Sequence, residues 1–278
     1  MSDTFDASAI SPESLDFLLP RVEALVRAAG DLVAERIRAP KRIRRKGRID
    51  LVTETDVEVE ARLKRGLAEI LPGSACLAEE SAPGSLDSGS GQALWVIDPL
   101  DGTTNFAHGL PFVAISVALW QAGAPRLGVV HLPVLKECFT ARAGGGAFLN
   151  GAPIAVSETE DPERALLATG FPYDIARYLP EILANLETML PLVQGVRRAG
   201  SAALDLAYVA CGRLDGFYES GLRPWDTAAG VLLVAEAGGR VTRYDPAEPY
   251  TPGDRDMWAS NGRLHERLGR GLVRREAG

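Results

Sequence analysis

Leu94-Trp95-Val96-Ile97-Asp98-Pro99-Leu100-Asp101-Gly102-Thr103-Thr104-Asn105-Phe106 is the stretch whose reading decides the fold. The apolar residues Leu94 to Ile97 read as a buried strand that delivers an acid, Asp98, at its end. Asp101 follows three residues later, then Gly102, then two threonines able to start a helix. Two carboxylates at a strand end, with the backbone N–H groups of a helix start just behind them, put a cation site next to an anion site. A phosphate ester bound to Mg²⁺ is a ligand that uses both.

Upstream, Ala75 to Ala78 reads as a short strand ending in Glu79-Glu80-Ser81. Before it, Thr55 with Glu58 fits a capping box, so a helix is expected to begin there and run to Leu71, ahead of Pro72-Gly73. Asp50 and Asp56 flank that helix start. Leu15, Leu18, Leu19, Val22, Leu25, Val26, Ala29, Val33 and Ile37 recur at helical spacing, giving an amphipathic helix from Pro12 or Pro20 to Ile37, ended by Pro40. Lys41 to Lys46 is a basic run suited to a solvated loop or to an anionic partner. Pro83 to Gly91 reads as a flexible excursion between paired strands.

Downstream, Phe112 to Leu119, Leu127 to Leu132 and Glu137 to Ala141 are apolar runs separated by turns, an antiparallel meander. Gly144-Gly145-Gly146 lacks the register of a dinucleotide loop and reads as a turn. A polar stretch, Glu158 to Arg164, marks the boundary between a first half, 1–156, and a second, 157–278; the two also read as one unit over 12–270. The second half alternates strands at Leu166–Thr169, Val196–Arg198 and Asp215–Glu219 with helices at Leu179–Leu192, after Gly200 and after Trp225. Strands at Arg240–Tyr244 and Met257–Ser260 and a C-terminal helix complete a second sheet with helices on its faces.

A formal net charge of −7 argues against general binding of nucleic acid. The three cysteines, Cys76, Cys138 and Cys211, are widely spaced and show no CxxC pairing, which fits reduced thiols and a cytoplasmic protein. No apolar run approaches the roughly 18 residues of a membrane span, and the polar, acidic residues Met1 to Ser11 do not resemble a signal peptide. The three histidines, His108, His131 and His265, do not cluster, which argues against a zinc site.

From Asp98 to Phe106 the chain resembles the signature of the inositol monophosphatase family, Mg²⁺-dependent, lithium-sensitive sugar and polyol phosphatases. The resemblance extends from about Leu15 to Leu268 and implies a layered αβαβα sandwich of the inositol monophosphatase and fructose-1,6-bisphosphatase type. Its larger, mainly antiparallel sheet lies in the first half and a smaller one in the second. The resemblance implies two or three Mg²⁺ ions held by Glu79, Asp98, the Leu100 carbonyl, Asp101 and Asp226. It pairs Thr103 with Asp56 to fix an attacking water and lets Glu79 share in accepting its proton. Asp101, Gly102, Thr103, Gly200, Ser201, Ala202, Glu219 and Asp226 match positions that contact phosphate and polyol. One departure is Ala78, where the family more often has Gly. Family members are commonly dimers, so a homodimer is the expectation.

A phosphatase of the haloacid dehalogenase type also places acids after an apolar strand, but its two acids lie two apart, whereas Asp98 and Asp101 lie three apart. That mechanism also wants a downstream lysine, and no Lys follows Lys136. Within the resembled family, histidinol phosphate, adenosine 3',5'-bisphosphate and fructose 1,6-bisphosphate remain alternatives to a myo-inositol monophosphate. Thr104-Asn105-Phe106 and Glu219 favour the polyol. A third possibility, of another class, is a regulatory partner of transcription or ribosome-assembly machinery.

Overall fold

The structure, a computed structural model, describes residues 10–39, 43–45, 51–81, 86 and 92–275. Most of the Met1 to Ser11 segment, Pro40, Lys41, Arg42 and Lys46 of the basic run, Asp50, and Pro83 to Gly91 except Leu86 lie outside the described residues.

Helix α1 (Pro12–Arg36) uses the earlier of the two possible starts. Ser11 caps it, accepting from the Ser14 N–H at 3.3 Å, and Pro12 occupies the first turn, where no N–H is required. Pro20 is carried inside the helix. After strands β1 (Ile43–Arg45) and β2 (Leu51–Thr53), an antiparallel pair, comes α2 (Glu54–Ile70). Its capping box differs from the expected one. The cap is Thr53, whose Oγ1 accepts from the Thr55 N–H at 3.2 Å, and the N3 acid is Asp56, which accepts from the Thr53 N–H at 2.9 Å. Thr53-x-x-Asp56 has the same spacing of hydroxyl and acid as Thr55-x-x-Glu58, and the shorter acid closes the box two residues earlier.

β3 (Ala75–Ala78) pairs parallel with β4 (Leu94–Asp101), Ala78 opposite Ile97. After the short α3 (Thr103–His108), the chain runs back and forth as β5 (Ala114–Gln121), β6 (Ala124–Leu132), β7 (Glu137–Arg142), β8 (Gly146–Leu149) and β9 (Ala152–Ile154). The result is one sheet in sequence order, antiparallel beyond its first pair. The triple glycine is the β7–β8 turn, and Gly144 and Gly146 donate to the Glu236 carboxylate at 2.7 and 2.8 Å.

The second sheet begins with β10 (Leu166–Thr169), followed by α4 (Ile175–Met189), β11 (Gly195–Arg197), α5 (Ala202–Ala210) and β12 (Gly216–Ser220). It ends with α6 (Pro224–Glu236), β13 (Arg240–Thr242), β14 (Asp256–Ser260) and α7 (His265–Gly269). The strand order is β11-β10-β12-β14-β13, the first three parallel and the rest antiparallel. α4 starts at Ile175, four residues before the expected Leu179, and carries Pro180 inside the helix, one turn past the unpaired N-terminal N–H groups.

Three apolar clusters hold five layers together. Leu15, Leu18, Val22 and Val26 of α1 and Leu63 of α2 pack against Trp95, Ile97 and Val117 on the outer face of the first sheet. α5 and α6 fill the space between the sheets, with Ala203, Leu206 and Leu233 joining Val96, Val130 and Phe139 to Phe217 and Ala259. Met189, Leu264 and Leu268 cover the far face of the second sheet on Leu167, Tyr218 and Trp258. Each such large side chain contributes about 1.5–3 kcal/mol by leaving water. The layer order is αβαβα, as the resemblance implied.

Candidate active site

The end of β4 carries the two acids, and its pairing with β5 explains how both serve one site. Asp98 lies opposite Ser116 and Asp101 opposite Ala114, so β4 holds one residue more than its partner across that interval. In a regular strand, residues three apart face opposite sides. The bulge, at a Pro99 that has no N–H to give to the ladder, turns Asp98 and Asp101 toward the same side. Asp98 accepts from the Leu100 N–H at 2.9 Å, which fixes one carboxylate oxygen and aims the other.

The neighbouring elements supply the remaining acids. β3 continues its parallel register past Ala78, so the Glu79 N–H meets the Ile97 carbonyl at 3.3 Å and Glu79 stands beside Asp98. Asp226 lies in the first turn of α6, accepting from the Arg223 N–H at 2.7 Å. That helix start is tied to the Asp98 region by Ser116, whose hydroxyl donates to the Trp225 carbonyl at 3.2 Å. Asp101 accepts from the Ser201 hydroxyl at 2.8 Å and from the Ala203 N–H at 2.7 Å, which locks the first turn of α5 onto β4.

Burial and neighbouring charge act on these acids together. Burial pushes the Asp98 carboxyl well above the usual carboxylate range, and repulsion from Glu79, Asp101 and Asp226 adds to it. Burial raises Asp101 to about 6 despite its hydrogen bonds. Asp226 is raised by burial and then by Asp101, Glu79 and Glu219. Among the described residues, no three His, Cys, Asp or Glu side chains are drawn in tightly enough to hold a metal ion as they stand. The donors are hard oxygens on rigid elements, the set that Mg²⁺ or another hard divalent cation takes. Thr103 Oγ1 lies 3.1 Å from the Leu100 carbonyl, so the one hydroxyl proton can serve either this carbonyl or Asp56, and the carbonyl keeps a lone pair free in both cases.

Thr103 opens α3 behind Gly102, whose φ of 91° makes the left-handed turn from strand to helix. The Thr103 hydroxyl also lies 3.2 Å from Asp56 Oδ1, so the α2 capping acid and the α3 hydroxyl are one unit. Asp56 is fully buried, and burial raises its carboxyl while the Thr53 and Thr103 hydrogen bonds lower it.

Of the positions expected to contact substrate, Ser201 reaches the site through Asp101, Ala202 is buried, and Gly200 offers its carbonyl to Asn105. Glu219 sits near the end of β12 against Gly170, where an added Cβ would overlap its carboxylate. Burial raises Glu219 well above its ordinary range; Asp205 and Asp101 repel it and Arg198 attracts it.

Four residues of this site were given no place in it by the sequence reading, where Asn105 appeared only within the Thr104-Asn105-Phe106 motif. Asn105 Nδ2 stands within reach of the Phe112, Ala199 and Gly200 carbonyls at 2.7, 2.9 and 3.3 Å and so joins α3 to the loop before α5. Glu60 of α2 accepts from the Glu80 N–H at 2.8 Å and from the Ser81 hydroxyl, which fixes the turn carrying Glu79. Asp205 is 2% exposed on α5, with no hydrogen bond to its carboxyl among the described residues. A lone acid inside Ala202-Ala203-Leu204-Asp205-Leu206-Ala207 was the available signal. Arg198 is treated below. A groove of about 520 Å³ between α1 and α2, lined by Leu25, Ala28, Ala61 and Arg62, includes none of these acids.

The model of the inositol monophosphatase family matches residues 15–276. An inositol-1-monophosphatase of Synechocystis sp. is 43% identical over 264 residues, covering 95% of this chain and 91% of that protein. A protein of Escherichia coli named Nus factor SuhB is 42% identical over 236 residues, covering 83% and 88%. Among solved structures, an inositol monophosphatase from Anabaena superposes with a TM-score of 0.82 at 41% identity, covering 93% of this chain and 96% of that one. An IMPase of Thermotoga maritima gives 0.82 at 36% identity, covering 94% and 96%.

Proposed function

The chain belongs to the inositol monophosphatase family and is a phosphoric monoester hydrolase, and from that premise we propose a Mg²⁺-dependent phosphatase acting on a myo-inositol monophosphate or a similar polyol or sugar phosphate. The observation that carries this reading is geometric: the β4 bulge turns Asp98 and Asp101 to one side, Glu79 of the paired strand stands beside Asp98, and the Ser116–Trp225 hydrogen bond brings the Asp226 turn to them, beside the start of α3.

In this reading Glu79, Asp98, the Leu100 carbonyl, Asp101 and Asp226 hold two or three Mg²⁺ ions. Bound Mg²⁺ supplies a water of lowered pKa and neutralises charge on the phosphoryl and leaving oxygens. The chain's own groups do the rest. Thr103 can donate its hydroxyl proton to Asp56 while accepting from the attacking water, which orients that water. Glu79 shares in taking the proton the water loses. The Gly102 and Thr103 N–H groups grip phosphate oxygens. Gly200, Ser201 and Ala202 shape the polyol wall and Glu219 accepts from its hydroxyls. Asp226 serves both metal and hydroxyl.

The exposed Leu179, Leu183 and Leu190, at helical spacing on and just past α4, give the proposed homodimer a candidate face. No helix among the described residues is long and apolar enough to cross a membrane, and we assign the protein to the cytoplasm. All three cysteines are free, in keeping with a reducing compartment. Lithium sensitivity is part of the same proposal. The name of the Escherichia coli relative keeps a regulatory role in view. Co-purification of polymerase or RNA components from cell extract would support that role, and their absence would remove it.

The deciding experiment is phosphate release from myo-inositol 1-phosphate, histidinol phosphate, adenosine 3',5'-bisphosphate and fructose 1,6-bisphosphate, with Mg²⁺ and with a chelator. Mg²⁺-dependent turnover with the inositol phosphate foremost is expected. Metal-independent turnover, or none, contradicts the reading.

A further inference from the structure

The three parallel strands of the second sheet end at one edge, the edge where ligands meet open α/β sheets. Arg198 follows the last residue of β11, Gly170 and Phe171 follow β10, and Glu219 lies near the end of β12. β10 is the middle strand of the three, so Phe171 stands between the arginine and the acid.

The Arg198 guanidinium lies over the Phe171 ring, 5.3 Å from its centroid. It also runs across Gly200, where a Cβ would stand 2.6 Å from Nη1. Ring and glycine together give a long, exposed side chain a seat, which lowers the entropy lost when it binds. Its charge is felt by Asp101, Asp205 and Glu219. The guanidinium therefore lies at the same sheet edge as the proposed polyol-reading acid.

We propose that Arg198, seated on Phe171 and Gly200 beside Glu219, forms a subsite for a second anionic group on the substrate, so that polyol or sugar phosphates bearing another phosphate are accepted alongside the monophosphate. This deepens the phosphatase reading and rests on it. The phosphoryl group being cleaved lies at α3, the alcohol against Glu219, and the far anion outward on Arg198. A planar guanidinium offers a phosphate two parallel N–H donors, and a lysine offers a single point charge.

The test compares kcat/KM for fructose 1,6-bisphosphate with that for myo-inositol 1-phosphate in the wild type, R198A and R198K, all with Mg²⁺. The expected result is a fall of about tenfold or more in the bisphosphate-to-monophosphate ratio in R198A, carried by KM, with partial recovery in R198K. The ratio in the wild type should also fall as salt is raised. An unchanged ratio in R198A overturns the subsite, even if both rates drop, because an equal drop means that Arg198 only shapes Glu219. Loss of turnover of both substrates already in the wild type defeats the phosphatase reading instead, and this inference with it.

Discussion

Thr103 Oγ1 and Asp56 Oδ1 are 3.2 Å apart, and the other oxygen of the same carboxylate closes the cap of α2 on Thr53. One buried acid thus starts a helix and holds a hydroxyl of the proposed active site. Asp56→Asn keeps the shape but alters which partner is served. It should cost about 1 kcal/mol of stability through the cap and about 10²-fold or more in kcat through Thr103. Thr103→Ala should give the kcat loss without the cap loss. Chemical denaturation beside steady-state kinetics checks the pair. Equal stability loss in both variants would show that the contact is only structural.

Gly170 allows Glu219 its place, since a Cβ there would overlap the carboxylate. Gly170→Ala should raise KM for polyol phosphates several-fold while Tm shifts by only a few degrees, on the order of 1 kcal/mol. An unchanged KM would mean that Glu219 does not meet the substrate.

Glu219→Gln retains size and removes charge. Its expected effect is a narrowed ranking among polyol phosphates, on the order of tenfold, because hydrogen bonds to a charged acceptor become neutral ones. The measurement is kcat/KM over the panel. A ranking identical to the wild type would take Glu219 out of specificity.

The raised carboxyls give a sign for pH. Asp101 sits at about 6, above an ordinary aspartate, and Asp98 and Asp226 are raised as well. Between about pH 4 and pH 6 the folded metal-free protein therefore binds more protons than the unfolded chain, so stability falls as pH rises through that window. Without divalent cation, Tm should drop from pH 5 to pH 7. Added Mg²⁺ should raise Tm more at pH 7 than at pH 5, because it binds ionised carboxylates. Calorimetry at both values checks this, and a Tm without Mg²⁺ that rises with pH would contradict it.

The layers were legible in the sequence because alternation and apolar runs report burial directly: β4, the meander and the second-half alternation all fall within a few residues of their expected positions. The capping of α2 was misread because two threonine–acid pairs share one spacing, and only the tertiary partner Thr103 distinguishes them. The role of the bulge between Asp98 and Asp101 was hidden for a similar reason, since the pairing partner decides it. Glu60 and Asp205 act across long sequence separations, and local pattern carries no record of such contacts, while Asn105 was visible in its motif but its long-range carbonyl partner Ala199 was not.

The central claim is that acids from β3, β4 and α6 hold divalent cations against the start of α3. The most direct measurement is anomalous diffraction from crystals of the full chain soaked in Mn²⁺, a stand-in for Mg²⁺. The account predicts anomalous peaks within coordination distance of Glu79, Asp98, Asp101 and Asp226, lost in Asp98→Asn. Peaks elsewhere on the molecule, with these four carboxylates left bare in an enzyme that Mn²⁺ activates, would contradict it.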